Sequence, residues 1–239
     1  MTGPLILHIE TATDICSVAL SEGDRQLSLI ESGQERSHAT LLNTFIRQAV
    51  AEAGKDLKDL NGIAVSKGPG SYTGLRIGVS TAKGLAYALE IPLLASGTLE
   101  NMAIGVHSNE AVKKMAASFR EKVLLCPMLD ARRMEVYAGF YTMKNHVSRE
   151  VSADIIDEQS YHEILESHPV CFFGNGADKC KAVLKHPNAH FIDGINPSAA
   201  SMIIPVLNRY HQKQFEDVAY FEPFYLKDFV ATIPRKKVL

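Results

Sequence analysis

The sequence predicts a two-lobed α/β protein in which the second lobe is a shortened copy of the first. An apolar run that ends in an acidic residue and then returns as a second strand occurs twice, ending at Glu10 and at Asp130. A buried-looking strand that enters a glycine-rich turn also occurs twice, at Gly68 and at Gly174. The acid and the glycine are 58 residues apart in the first copy, from residue 10 to residue 68, and 44 apart in the second, from residue 130 to residue 174. This repetition indicates a duplicated fold.

The composition is typical of a compact globular protein. The chain has 239 residues, of which 46% are hydrophobic and 22% charged, and these values exclude a disordered chain. The 25 basic and 27 acidic residues give a net charge of −2, so the chain as a whole is not a basic clamp for nucleic acid. Its only basic cluster is Arg235, Lys236 and Lys237. Any contact with RNA is therefore expected to be local or to be provided by a partner.

The cysteines and the opening residues predict a cytoplasmic protein. The four cysteines form no CxxC pair, and their wide spacing favours reduced thiols over a disulfide framework. The first ten residues lack the basic region of a signal peptide, and no run of about 18 apolar residues predicts a membrane span.

The first lobe is expected to cover residues 1–105. Alternation, turn signals and helical periodicity predict its elements. The predicted strands are residues 5–9, 15–20, 27–30, 62–66 and 91–95, and the predicted helices are residues 38–53, capped by Ser37, and 75–89. A further helix is predicted over residues 98–118, with a polar stretch at 109–114 that is interpreted as a linker.

The second lobe is expected to cover residues 106–239. Its predicted strands are residues 124–129, 135–141 and 170–173, followed by a short helix through Leu184. A helix over about 198–212 is expected to pack back on the first lobe, and the remaining residues are expected to form an extended strap.

The loop from Lys67 to Arg76 is the most informative segment. Its glycines allow backbone amides to approach an anion at a helix N-terminus, but it lacks the Walker A lysine and misses the GxGxxG spacing by one residue. The alternative is a tight turn that lets strand and helix pack closely. The candidate nucleotide or anion residues of the first lobe are Thr11, Thr13, Gly68, Gly70, Ser71, Thr73, Gly74 and Arg76, and those of the second lobe are Asp130, Arg132, Gly174 and Gly176.

The acids at the two hairpin turns, Glu10 and Asp130, admit two interpretations: they hold a hydrated metal or a water beside a nucleotide, or they cap their own turns. No metal site and no catalytic residue is predicted. His186 and His190 have the spacing of a helical metal pair, but Pro187 between them argues against a continuous helix. Cys16 is interpreted as a buried small hydrophobe, not as a nucleophile.

The helices over residues 38–53 and 75–89 are expected to form a protein interface. Apolar residues cover about 180° of the first helix, more than the roughly 100° that packing on one sheet requires. Small residues on the second helix permit close approach. The alternative is that both helices only cover their own sheet. The candidate interface residues are His38, Leu42, Phe45, Ile46, Gly78, Thr81 and Lys83.

Several motifs together resemble the bacterial TsaB (YeaZ) family. They are residues 9–13 (IETAT) with 16–20 (CSVAL), residues 68–78 (GPGSYTGLRIG), residues 130–132 (DAR) with 135–137 (EVY), and residues 222–226 (EPFYL). The motifs occur in order over nearly the whole chain. The glycine-loop signature and the Asp-Ala-Arg turn are specific in combination.

The resemblance implies an actin-like fold of the acetate and sugar kinase type and a paralogue of the catalytic subunit TsaD. It implies a non-catalytic scaffold that binds TsaD, helps recruit the ATPase TsaE and supports transfer of threonylcarbamoyl to adenosine 37 of tRNAs that read ANN codons. It also implies a homodimer in isolation, tRNA contact only through the complex, and ATP or ADP only at the complex interface. Residues 97–103 contain no histidine where TsaD carries its His-x-x-x-His metal helix, and Ala12 replaces the usual glycine of a first phosphate loop.

Two other functions stay open at the level of the sequence. The first is a stand-alone actin-like kinase or ATPase, which the shortened second half disfavours. The second, more distant, is a glycoprotease-like metallopeptidase, which the missing ligand pair disfavours. ATP turnover by the purified chain distinguishes a kinase from a scaffold.

Overall fold

The computed structural model describes residues 3–32, 38–120 and 122–227, and in these residues the chain forms two five-stranded sheets. The strand orders are β3-β2-β1-β4-β5 and β8-β7-β6-β9-β10. In both sheets the first strand pairs antiparallel with the second and parallel with the fourth. This shared topology confirms the duplicated, actin-like α/β fold. The strands are β1 (Leu5–Glu10), β2 (Cys16–Glu22), β3 (Arg25–Ser32), β4 (Gly62–Ser66), β5 (Leu93–Ser96), β6 (Leu124–Asp130), β7 (Glu135–Thr142), β8 (Val147–Ile155), β9 (Val170–Phe173) and β10 (Ala189–Ile192).

The second lobe is shorter because its crossover helices are reduced. The helices are α1 (His38–Glu52), α2 (Tyr72–Leu89), α3 (Thr98–Gly105), α4 (Glu110–Ser118), α5 (His162–Ser167) and α6 (Ile203–His211). Between the third and fourth strands α1 has 15 residues and α5 has 6. In place of the 18-residue α2, the second lobe has a short 3-10 turn at Asp178–Cys180. None of the helices in the described ranges is both long and apolar enough to cross a membrane.

The sequence misplaces several element boundaries. Asn109 ends the predicted 98–118 helix, because its side chain accepts hydrogen bonds from the amides of Ala111 and Val112 and so begins α4; the predicted linker is therefore the start of a helix. The short helix predicted through Leu184 is reduced to the 3-10 turn Asp178–Cys180, because most backbone hydrogen bonds over residues 174–184 span three residues. The sequence also missed β8, α5 and β10. The predicted cap Ser37 and the basic cluster at residues 235–237 lie outside the described residues.

Helices α3 and α6 each pack on the sheet of the other lobe. On the first sheet α1 and α2 cover one face, and the other face packs against Met202 and Val206, from the 3-10 turn Ala199–Met202 and α6. On the second sheet one face packs against Leu99, Met102 and Val112 of α3 and α4. Thus α3 packs on the later sheet and α6 on the earlier one. The expected boundary at residue 105 separates the two lobes in the sequence, but the helices on either side of it pack across that boundary.

A direct contact between α3 and α6 joins the two lobes. The Nη2 group of Arg209 in α6 lies 2.8 Å from both carboxylate oxygens of Glu100 in α3. At the end of α3, Gly105 lies against Ser201, so closely that an added Cβ would come within 3.0 Å of the serine side chain. Close backbone approach explains the glycine here.

Candidate functional site

The glycine-rich loop between β4 and α2 packs against the turn that follows β1. The Ser71 amide donates to the Ala12 carbonyl at 2.7 Å. The Thr11 hydroxyl donates to the Gly74 carbonyl at 2.8 Å, and the Gly74 amide donates to the Ser71 hydroxyl, which caps α2, at 3.3 Å. The capping serine explains why α2 begins at Tyr72, earlier than the sequence predicts. The loop is therefore held by the chain's own first hairpin.

The glycines of this loop are explained by the same contact. A Cβ added to Gly70 or Gly74, or to Gly78 farther along α2, would come within 3.0 Å of atoms of Thr11 or Ala12. Gly68 has a φ of +113°, which favours glycine. These positions support the alternative of a close-packed turn, because the space beside three glycines and two of the amides is already taken by the chain itself.

The other candidate residues of the first lobe have contacts within the chain or face solvent. The Arg76 guanidinium donates to the Tyr72 hydroxyl at 3.1 Å and lies over the Tyr72 ring. The Thr13 hydroxyl accepts from the Ile15 amide in its own turn, and Thr73 is exposed on the first turn of α2. The Arg76 guanidinium, a candidate anion ligand, thus contacts the Tyr72 side chain.

Glu10 is fully buried beneath the loop. Its Oε1 accepts from the Ala12 amide at 2.7 Å, which shapes the turn that contacts the loop. Its Oε2 has no partner among the described residues. Burial raises the pKa of Glu10 from its ordinary 4.5 to about 7. Of the two interpretations for this acid, the buried position favours a turn cap.

The Glu10→Gln variant is expected to gain stability relative to the original chain as the pH rises. The pKa of Glu10 is higher in the folded than in the unfolded chain, so its contribution is complete below about pH 4.5 and is lost as the pH rises through about 7. Glutamine cannot ionise and avoids this loss. The difference in unfolding free energy should grow by up to about 3 kcal/mol between pH 5 and pH 9 and then level off. Urea unfolding at a series of pH values measures it; a constant difference would contradict the assignment.

The Glu10→Gln variant must be compared with the original chain, because burial of His8 makes stability depend on pH in the opposite direction. Burial lowers the pKa of His8 from 6.5 to about 3, so its neutral form is favoured and the fold loses stability as the pH falls below about 6.5. Both proteins contain His8, so its effect cancels.

The second hairpin acid also caps its own turn. Asp130 is exposed, accepts from the Arg132 amide at 2.9 Å and forms an ion pair with Lys179. Gly174, with a φ of +101°, and Gly176 lie against the backbone at the end of β6. The second glycine turn therefore repeats the close packing of the first.

The two histidines considered as metal ligands and the cysteine considered as a nucleophile lie on different elements of the fold. His186 lies in a turn, where its Nδ1 accepts from the Asn188 amide, and His190 lies on β10 beside Phe119. They do not share a helix. Within the described ranges, no three His, Cys, Asp or Glu side chains are grouped as a metal site. The four cysteines are free and buried, and burial raises the pKa of Cys16 to about 11.

Three of the predicted interface residues are internal. Leu42 and Ile46 are 1% and 3% exposed and belong to the core beneath α1, and Gly78 faces Thr11. Half-buried Phe45 packs against the same core. The second neighbour that the wide apolar arc requires is therefore inside the chain: α1 contacts α2 as well as β2 and β3. The prediction that Leu42, Ile46 and Gly78 lie on an interface with a partner is therefore wrong.

The other three interface candidates are half-buried, and two of them have polar partners. The His38 Nε2 lies 2.6 Å from the Thr13 carbonyl. Lys83 donates to the carbonyls of Ala219 and Phe221, at 3.0 and 2.9 Å. Thr81 lies on α2, two positions before Lys83.

The strap was predicted, but its contact with the glycine loop was missed. The Phe224 amide donates to the Lys67 carbonyl at 2.7 Å, and the Tyr225 ring lies 4.9 Å from that of Tyr72. A Cβ on Gly68 would meet the Phe224 carbonyl oxygen at 2.7 Å. The adjacent aromatic residues Phe224 and Tyr225 of the EPFYL motif were the sequence signal that could have indicated this contact.

Comparison of the sequence with known proteins shows the family of the chain. The family model described as TsaD, tRNA N6-adenosine threonylcarbamoyltransferase, matches residues 30–235. The TsaB protein of Escherichia coli is 30% identical and is matched over 95% of this chain and 96% of its own. The chain belongs to the TsaB (YeaZ) family. The TsaB protein of Bacillus subtilis is 31% identical over 75% of each chain.

The solved structure of YeaZ from Pseudomonas aeruginosa shares the TsaB fold described above. Its TM-score is 0.77 at 24% identity, covering 93% of this chain and 100% of the YeaZ chain. By contrast, the threonylcarbamoyltransferase of Pelobacter propionicus, 34% identical, matches 52% of this chain and 38% of its own. The TsaB proteins are therefore similar over a larger share of the chain.

Proposed function

We propose that this chain is a non-catalytic scaffold subunit of the machinery that makes threonylcarbamoyladenosine in tRNA. The names of its TsaB relatives support the pathway. The observation that carries the scaffold role is the close packing of the glycine-rich loop, where the Thr11–Ala12 turn lies directly against Gly70 and Gly74 and accepts from the Ser71 amide. Both hairpin acids are engaged with their own turns. The chain therefore supports chemistry that a partner performs in the cytoplasm.

The proposed partners are TsaD and, through it, the ATPase TsaE and tRNA. The match to the TsaD family model supports a pairing of two similar folds around a pseudo-two-fold axis, and a second copy of this chain takes the place of TsaD in isolation. The proposed contact surface is the solvent side of α1 and α2, where Thr44, Ser80 and Gly84 are exposed. ATP or ADP is proposed as a ligand of the assembled complex, not of the close-packed glycine-rich loop.

The Gly84→Trp variant is expected to prevent co-purification with TsaD. Gly84 is exposed and an added Cβ there meets no atom within 4 Å, so we expect the fold to tolerate a larger side chain. In a packed helix interface it blocks close approach, which should weaken binding by roughly a hundredfold or more. The matched control is Ala117→Trp on the exposed side of α4. Co-expression with the TsaD protein of the same organism measures it, and equal recovery of both variants would exclude this surface.

ATP hydrolysis by the purified chain tests the non-catalytic assignment directly. We expect no multiple turnover with the chain alone, and modification of tRNA only when TsaD and TsaE are added. Sustained turnover by the chain alone would overturn the scaffold role in favour of a kinase or ATPase.

A further inference from the structure

The tip of the second hairpin carries two arginines in an unfavourable backbone conformation. Between β6 and β7, Arg132 has a φ of 72° and Arg133 a φ of 49°. The Glu135 amide donates to the Arg132 carbonyl, and the Ala131 amide to the Glu135 carbonyl, both at 3.0 Å. A positive φ is unfavourable for arginine, because its Cβ clashes with the backbone there, and glycine is the usual residue in this conformation. Local stability therefore does not explain the arginines.

The charge of this tip is not balanced locally. Both arginines are exposed, and within the described part of the chain neither guanidinium has a hydrogen bond or an ion pair. The acids on either side already have partners: Asp130 pairs with Lys179, and Glu135 pairs with Lys227. Two positive charges are left facing solvent.

The patch is narrow. The Ile156 amide donates to the Met134 carbonyl and brings the turn over residues 156–160 beside the tip. There the Asp157 carboxylate accepts from the Gln159 amide and the Ser160 hydroxyl, but it retains its charge. This acid reduces the positive charge on the side of the tip that faces the turn over residues 156–160.

We propose that Arg132 and Arg133 contact phosphate groups of the RNA that the assembled machinery modifies. The inference rests on the proposed function. Guanidinium groups bind phosphate oxygens in a bidentate manner, and two adjacent, unpaired ones at an exposed tip suit neighbouring phosphates. The chain's net charge of −2 makes this a local contact within a complex, not RNA binding by the chain alone.

The test is the Arg132→Gly and Arg133→Gly double variant in complex with TsaD. Glycine adopts the same left-handed conformation, so the hairpin is kept and its strain is relieved. We expect an unchanged or higher unfolding temperature, unchanged binding to TsaD, and tRNA affinity reduced roughly tenfold at low salt, with a salt dependence shallower by about one to two phosphate contacts. Arg120→Gly is the matched control, because Arg120 is an exposed arginine with a φ of 49° at the end of α4.

The outcomes are separable. Unchanged tRNA affinity and salt dependence overturn the inference, and so does equal weakening by Arg120→Gly. Loss of TsaD or TsaE binding in the double variant assigns the tip to an acidic protein surface and also overturns it. Failure of the unaltered chain to bind TsaD, measured before RNA is added, contradicts the proposed function and this inference with it.

Discussion

The Ile46→Asp variant is expected to lose about 5 kcal/mol of unfolding free energy, enough to unfold a chain of ordinary stability. Ile46 is 3% exposed, in the core formed by α1 and the first sheet. Removing its side chain leaves a cavity, and the aspartate adds a buried polar group without a partner. Circular dichroism and urea unfolding of the purified variant measure the loss.

The matched control is Arg47→Asp, at the next position of the same helix. Arg47 is exposed, so its replacement should change stability by no more than about 0.5 kcal/mol. A folded Ile46→Asp monomer that merely fails to associate would show that Ile46 faces a partner, as the sequence predicts, and would contradict its burial within the chain.

Replacing Gly74 by alanine is expected to destabilise the chain by about 3 kcal/mol or more. An added Cβ would overlap the Thr11 carbonyl oxygen, a backbone atom that follows β1 and cannot move without displacing the hairpin turn. Separation of this turn from α2 should also break the hydrogen bond from the Thr11 hydroxyl to the Gly74 carbonyl.

The control for this glycine lies in the same helix. Gly84→Ala meets open space and should stabilise α2 by about 0.5–1 kcal/mol, because alanine is the better helix former. Thermal unfolding of both variants should therefore give shifts of opposite sign. A Gly74→Ala protein as stable as the original would show that the loop stands away from the hairpin and has room for a ligand.

Local signals determined the duplicated plan of this protein. Each hairpin is visible because an apolar strand ends at an acid, Glu10 or Asp130, and a short turn follows. Strand alternation and turn residues act over a few neighbours, so they can be recognised without the rest of the fold. The motifs of the glycine loop and of the strap identified the family on the same local basis.

Only the tertiary structure decided what those motifs contact. The sequence leaves both an anion cradle and a packed turn open for Gly70 and Gly74, and only the structure shows that the Thr11–Ala12 turn, some 60 residues earlier in the chain, packs against both glycines. Likewise the apolar arc of α1 does not distinguish a partner from the chain's own α2. Helical periodicity records that a face is buried, but the element that buries it is chosen by packing between residues far apart in the sequence.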